Sequence, residues 1–128
     1  MAASPPRPTD AELELLHILW ERGASTVRDL HEQIASRRPT QYTTVLKQLQ
    51  VMAEKGIVIR NEDQRAHVYE PTKTRAWTQQ RLAGDLLTKA FDGSARSLMM
   101  GALSARRTSK VELAELRALL DEYEGKAK

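Results

Sequence analysis

Residues 40–50, TQYTTVLKQLQ, gather the side chains with the most chemistry to offer. Thr43 and Thr44 each bring a hydroxyl and a methyl, and Lys47 brings an ammonium. In a major groove, an ammonium donates to guanine O6 and N7. A threonine hydroxyl bonds a phosphate or base edge there, and its methyl meets the thymine methyl. The chemistry on offer is recognition, not bond making. Tyr42 adds a phenol that packs at the flank and can reach a phosphate, and Thr40 falls on the same polar side as the other threonines. Two adjacent β-branched residues cost helix propensity, roughly 0.5 kcal/mol each relative to alanine, so helix stability does not account for them. The competing explanation is an ordinary exposed polar face.

These side chains need a helix to carry them. At about 100° per residue, Tyr42, Val45, Leu46, Leu49, Met52 and Ala53 gather on one side, opposite Thr40, Thr43, Thr44 and Lys47, and Gly56 ends the run. Upstream, Thr9-Asp10-Ala11-Glu12 has capping-box spacing and opens a helix to about Trp20 or Glu21, with Leu13, Leu16 and Trp20 on one face and Gly23 as its stop. Ser25 or Thr26 caps a second helix carrying Val27, Leu30 and Ile34, broken at Arg37-Arg38-Pro39 because a residue before proline leaves the helical region. After Gly56 the period drops to about two. IVIR and AHVYE are two strand-like runs separated by residues 61–65, and Pro71 ends the second. Three helices and a hairpin are the order of a winged helix-turn-helix, with the third helix in the major groove and the hairpin along the adjacent backbone.

Charge agrees with that order. Between residues 22 and 60 stand seven basic residues and three acidic ones, a local excess of +4 against +3 for the whole chain. Concentrated positive charge is the footprint of a phosphate-backbone binder. Arg37 and Arg38, just before the third helix, are placed near the backbone, and Arg60 and Arg65 in the hairpin are candidates for phosphate or minor-groove contact against the opposing Glu62 and Asp63. Other classes find little support. There is no cysteine, hence no thiolate metal site or cysteine nucleophile. His17, His31 and His67 are scattered without metal-ligand spacing, and no nucleophile–base constellation or glycine-rich phosphate loop is present. No metal, cofactor or catalytic residue is expected. No apolar run approaches bilayer length and residues 1–8 have no signal pattern. The expectation is a cytoplasmic chain with a short flexible leader and no membrane partner.

From residue 74 onward only helical patterns occur. A long helix carries Trp77, Leu82, Leu86, Leu87, Ala90 and Phe91 to Asp92-Gly93, and Ser94 caps a second with Leu98, Met99, Ala102 and Leu103. Ser109 with Glu112 forms another capping box, opening a third whose Leu113, Leu116, Leu120 and Tyr123 form a stripe. Glu112, Glu115, Asp121, Glu122 and Glu124 are solvating charges on that helix. Roughly 50 residues in three short helices make a marginal core alone, and a second copy removes the difficulty. The expected dimer contacts are Leu86, Phe91, Leu98, Met99, Ala102, Leu113, Leu116 and Leu120. The expected architecture is mainly α with a small β-hairpin: leader 1–8, winged helix 9–73, and a helical dimerisation domain 74–128.

In order and residues the chain resembles the penicillinase repressor family of winged-helix transcriptional repressors, the BlaI/MecI type. The matching segments are PTDAELELLHILW, STVRDLHEQI, YTTVLKQLQVMAEKGIV, RAHVYEP, FDGSARSLM and ELAELRALL. The resemblance implies a homodimer on a palindromic duplex operator, repression of resistance-type genes, and release when a membrane sensor system triggers cleavage by a linked protease. The best-known members are cut at an Asn-Phe bond, and the corresponding bond here is Gly101–Ala102 within LMMGALS. Copper-responsive relatives carry a C-terminal cysteine cluster, and this chain has none. The rival expectation is a winged-helix protein-interaction adaptor without specific DNA binding.

Overall fold

The structure, a computed structural model, describes residues 5–63 and 65–127. Of the leader, residues 1–4 lie outside the described residues.

Helix α1 (Asp10–Arg22) starts where local hydrogen bonding dictates. The Thr9 hydroxyl accepts from the Glu12 amide at 3.2 Å and the Glu12 carboxylate accepts from the Thr9 amide at 3.0 Å. Gly23, at φ 89°, ends it. The buried residues are Glu12, Leu15, Leu16, Ile18 and Leu19, whereas Leu13 and Trp20 are only half-buried at the rim. Of the expected face, Leu16 is in the core while Leu13 and Trp20 only border it, so the centre of the buried face is shifted toward Leu15 and Leu19. Trp20 stays at the edge because its indole N–H needs an acceptor, and it donates to the Lys73 carbonyl at 3.1 Å.

Strand β1 (Ser25–Thr26) leads directly into helix α2 (Val27–Ala35), where Thr26 and Asp29 form a second capping box. Helix α3 (Tyr42–Glu54) begins two residues later than the polar stripe suggested, so Thr40 belongs to the preceding turn. Val45, Leu49 and Met52 are fully buried, Leu46 and Ala53 half-buried. Strands β2 (Val58–Asn61) and β3 (Val68–Pro71) form the hairpin, displaced by one or two residues from the expected runs. A third strand was not anticipated: β1 pairs antiparallel with β3, Ser25 opposite Tyr69, giving the order β1-β3-β2. The sheet closes one side of a core made by Leu15, Leu19, Leu30, Ile34, Leu49 and Tyr69.

Helix α4 (Arg75–Lys89) follows, its first turn closed by the Trp77 amide donating to the Thr74 hydroxyl at 3.0 Å. The chain divides into two compact units, Met1–Leu82 and Ala83–Lys128. The first unit runs past residue 73 because Trp77 is half-buried and Thr78 buried within it. In the second unit, helices α5 (Ala95–Ala105) and α6 (Lys110–Lys126) start at Ser94 and Ser109, whose hydroxyls accept from the Ser97 and Glu112 amides. Neither helix contains a buried residue. Phe91 lies over Gly101 so closely that a Cβ there would stand 3.3 Å from its Cε1.

Candidate nucleic-acid interface

Opposite the buried face of α3, Thr43, Lys47, Gln50 and Glu54 are exposed. The helix spacing puts these four on one outward stripe. Thr44 is also exposed but turns toward a shallow depression with Lys47, Gln48 and Val51 beside the start of α1. On the other flank, Tyr42 and Leu46 face a groove completed by Arg28 from α2 and by Arg60, Arg65 and Tyr69 of the hairpin. Tyr42 is 45% exposed, its ring edge-on to that of His31 at 5.8 Å. It is less of a packing residue than its place beside the core suggested, because it occupies the first helical position, beyond the core's edge.

Sequence reasoning missed Gln50 and Arg28. Gln50 borders a second depression with Arg60 and Glu62. Its signal was available, since on a helix it lies one turn from Lys47 and two turns from Thr43, on the same face. Arg28 becomes part of the groove only through the fold.

Charges here differ in how free they are. Among the described residues Lys47 and Arg65 have no ion-pair partner. Arg60 pairs with Glu62 in the hairpin, and Arg28 with Glu32 at 3.4 Å. Arg37 and Arg38 sit away from the groove, both held by Glu14 of α1 at 3.7 and 2.7 Å. Thr40 has partners within the chain: its hydroxyl donates to the Arg38 carbonyl at 3.1 Å, and its own carbonyl meets His31 Nε2 at 2.7 Å. No side chain caps α3 and its first turn holds no acid, unlike α1 and α2. Its N-terminal amides and dipole are therefore available to an anion.

The pose of α3 depends on one nearly buried carboxylate. Glu12, 5% exposed, accepts from Lys55 at 2.9 Å and ties the start of α1 to the end of α3. Burial pushes its carboxyl up, but the Thr9 amide and the Lys55 ammonium outweigh that and hold it below its ordinary 4.5. A lowered native value means the carboxylate stabilises the fold above pH 4.5 and that this contribution disappears as pH falls through the native value. Glu12→Gln is expected to cost about 1–3 kcal/mol near neutrality and to flatten the acid limb of stability. Thermal melts of both proteins between neutral and strongly acidic pH check it; parallel curves would contradict it.

The sequence profile of the penicillinase repressor family matches residues 8–122. The chain belongs to the penicillinase repressor family. A transcriptional regulator BlaI of Mycobacterium tuberculosis (strain H37Rv) is 39% identical over 88 residues, which cover 68% of this chain and 64% of that relative. The chain therefore matches somewhat under two thirds of that regulator's length. The penicillinase repressor of Bacillus licheniformis is 21% identical over 96% of both chains. The methicillin resistance regulatory protein MecI of Staphylococcus aureus is 20% identical over 88% of this chain and 92% of its own. Among solved structures, the DNA-binding domain of the repressor BlaI aligns with TM-score 0.52 and 20% identity, over 59% of this chain and 92% of that one. That likeness establishes the winged-helix fold of this family member. Among the described residues no helix is long and apolar enough to cross a membrane.

Proposed function

We propose that this penicillinase-repressor-family chain is a transcriptional repressor, binding duplex operator DNA as a homodimer on a palindromic site that governs resistance or stress-response genes. The observation that carries the reading is the outward stripe of α3. Thr43, Lys47 and Gln50 are exposed opposite a fully buried core face, next to a groove bearing Arg28, Arg60 and Arg65. In this reading Lys47, Thr43 and Thr44 meet bases, Tyr42 and the α3 amides meet phosphate, and Arg60 and Arg65 follow the flanking backbone. Arg37 and Arg38 serve a phosphate by exchanging part of their bond to Glu14.

Dimerisation is supported by the second unit. Leu86, Met99, Leu113 and Leu120 are exposed large apolar residues, joined by Met100, Leu103, Leu119 and Tyr123, while Phe91, Leu98 and Leu116 are half-buried and Ala102 is exposed. So much apolar surface over residues 83–127, none of which is buried, calls for a cover, and a two-fold copy supplies the same surface in return. Release by a sensor-linked protease belongs to this reading too. Gly101–Ala102 lies inside α5, so a protease that takes extended substrate must first open that helix. Masses of fragments from induced cells identify the bond.

The test is a footprint of the purified protein on DNA upstream of its own gene. Two protected half-sites about one helical turn or a multiple apart are expected, with affinity falling steeply as salt rises. Absence of salt-dependent duplex binding would leave the adaptor reading in its place.

A further inference from the structure

Within the first unit, a narrow pocket of about 20 Å³ lies between α1, the end of the hairpin and the first turns of α4. Its apolar wall includes Leu16, Ile57, Trp77 and Leu82. It is closed by Pro5, Pro6 and Pro8. Three of the four residues from 5 to 8 are prolines and lack a backbone N–H. This strap therefore cannot be woven into a helix or sheet, and it lies on the groove through apolar contact. Its anchor is Arg81, whose guanidinium donates to the Pro5 carbonyl.

The charge at this mouth is one-sided. Lys73 Nζ stands 4.9 Å from the centre of the Trp77 ring and Arg81 Cζ 5.6 Å from it. Two cations thus share one indole. Among the described residues neither has a carboxylate partner. A half-buried guanidinium satisfied by a neutral carbonyl oxygen is placed for a stronger, charge-assisted acceptor at the same point. An apolar wall with a cationic rim complements a molecule that is apolar at one end and anionic at the other.

We propose that this groove is a binding site for a small apolar carboxylate, its carboxylate replacing the Pro5 carbonyl on Arg81 and its apolar body replacing the proline strap against Trp77 and Leu16. The strap is then a tethered competitor, which lowers apparent affinity by the fraction of time the groove stands open.

Titration calorimetry on the whole protein tests this with naphthylacetate and, as the neutral isostere, naphthylacetamide. The acid is expected to bind one per chain and the amide about tenfold more weakly or worse, a difference that reports the guanidinium contact. Removing residues 2–8, which leaves the Thr9 cap in place, is expected to tighten binding of the acid. Arg81→Gln is expected to erase the difference between acid and amide. Equal binding of acid and amide to the intact chain, or no binding of the acid at millimolar concentration, overturns the proposal, and this comparison needs neither variant.

Discussion

Leu120→Asp is expected to leave the protein monomeric at micromolar concentration and to weaken operator binding by about a hundredfold or more. Leu120 is 60% exposed within its own chain, so the substitution removes little from the fold of α6, and far-UV circular dichroism should hardly change. Across the proposed dimer interface the same change places an unpaired charge against apolar side chains, a cost of several kcal/mol. Leu116 would be a less clean probe, because it is half-buried within its own unit. The operator effect follows from connectivity: two linked winged helices engage the second half-site at high effective concentration, and separated ones lose roughly 10²–10⁴ in avidity. Sedimentation equilibrium of both proteins reads the first effect and operator titration the second. A monomeric parent protein, or an unchanged dimer in the variant, removes this interface from consideration.

Lys47→Ala is expected to cost about 1–3 kcal/mol on the correct operator and far less on unrelated duplex. Lys47 is exposed, has no ion-pair partner among the described residues, and stands opposite Val45, Leu49 and Met52, so stability should stay level or rise slightly with alanine's better propensity. The contrast is with Arg37 and Arg38. Their replacement should weaken operator and random DNA alike and reduce the salt slope by about one per lost phosphate contact. Because both are already held by Glu14, Glu14→Gln should move binding the other way by freeing them. Titrations on both DNAs at several salt concentrations separate these effects. An unchanged ratio of operator to random binding in Lys47→Ala would show that this lysine does not read bases.

Much of this arrangement was legible in the chain because it rests on interactions between near neighbours. The capping box at Thr9 and the hydroxyl caps at Ser94 and Ser109 are three-residue relationships, and they placed those helix starts closely, while for α2 the choice between Ser25 and Thr26 fell to Thr26. The stripe Val45-Leu49-Met52 followed from helical period alone, and with it the outward direction of Thr43 and Lys47. The hairpin followed from a change of period.

Contacts between distant residues were decided by tertiary structure. Strand β1 is two residues long and exists because Ser25 meets Tyr69; no two-residue pattern carries that information. The same holds for Glu12 with Lys55 and for Arg37 and Arg38 with Glu14, where like-looking surface charges acquire partners once the three helices assemble. Arg28 joins the groove, and Thr40 falls before α3 rather than on its outward stripe, for the same reason. Periodicity marks which side of a helix is apolar but not how far its neighbours wrap around it, so Leu13 and Trp20 proved peripheral in α1 and Leu15 and Leu19 central. Burial is a property of the assembled surfaces, and local spacing can specify a helix without specifying what will cover it.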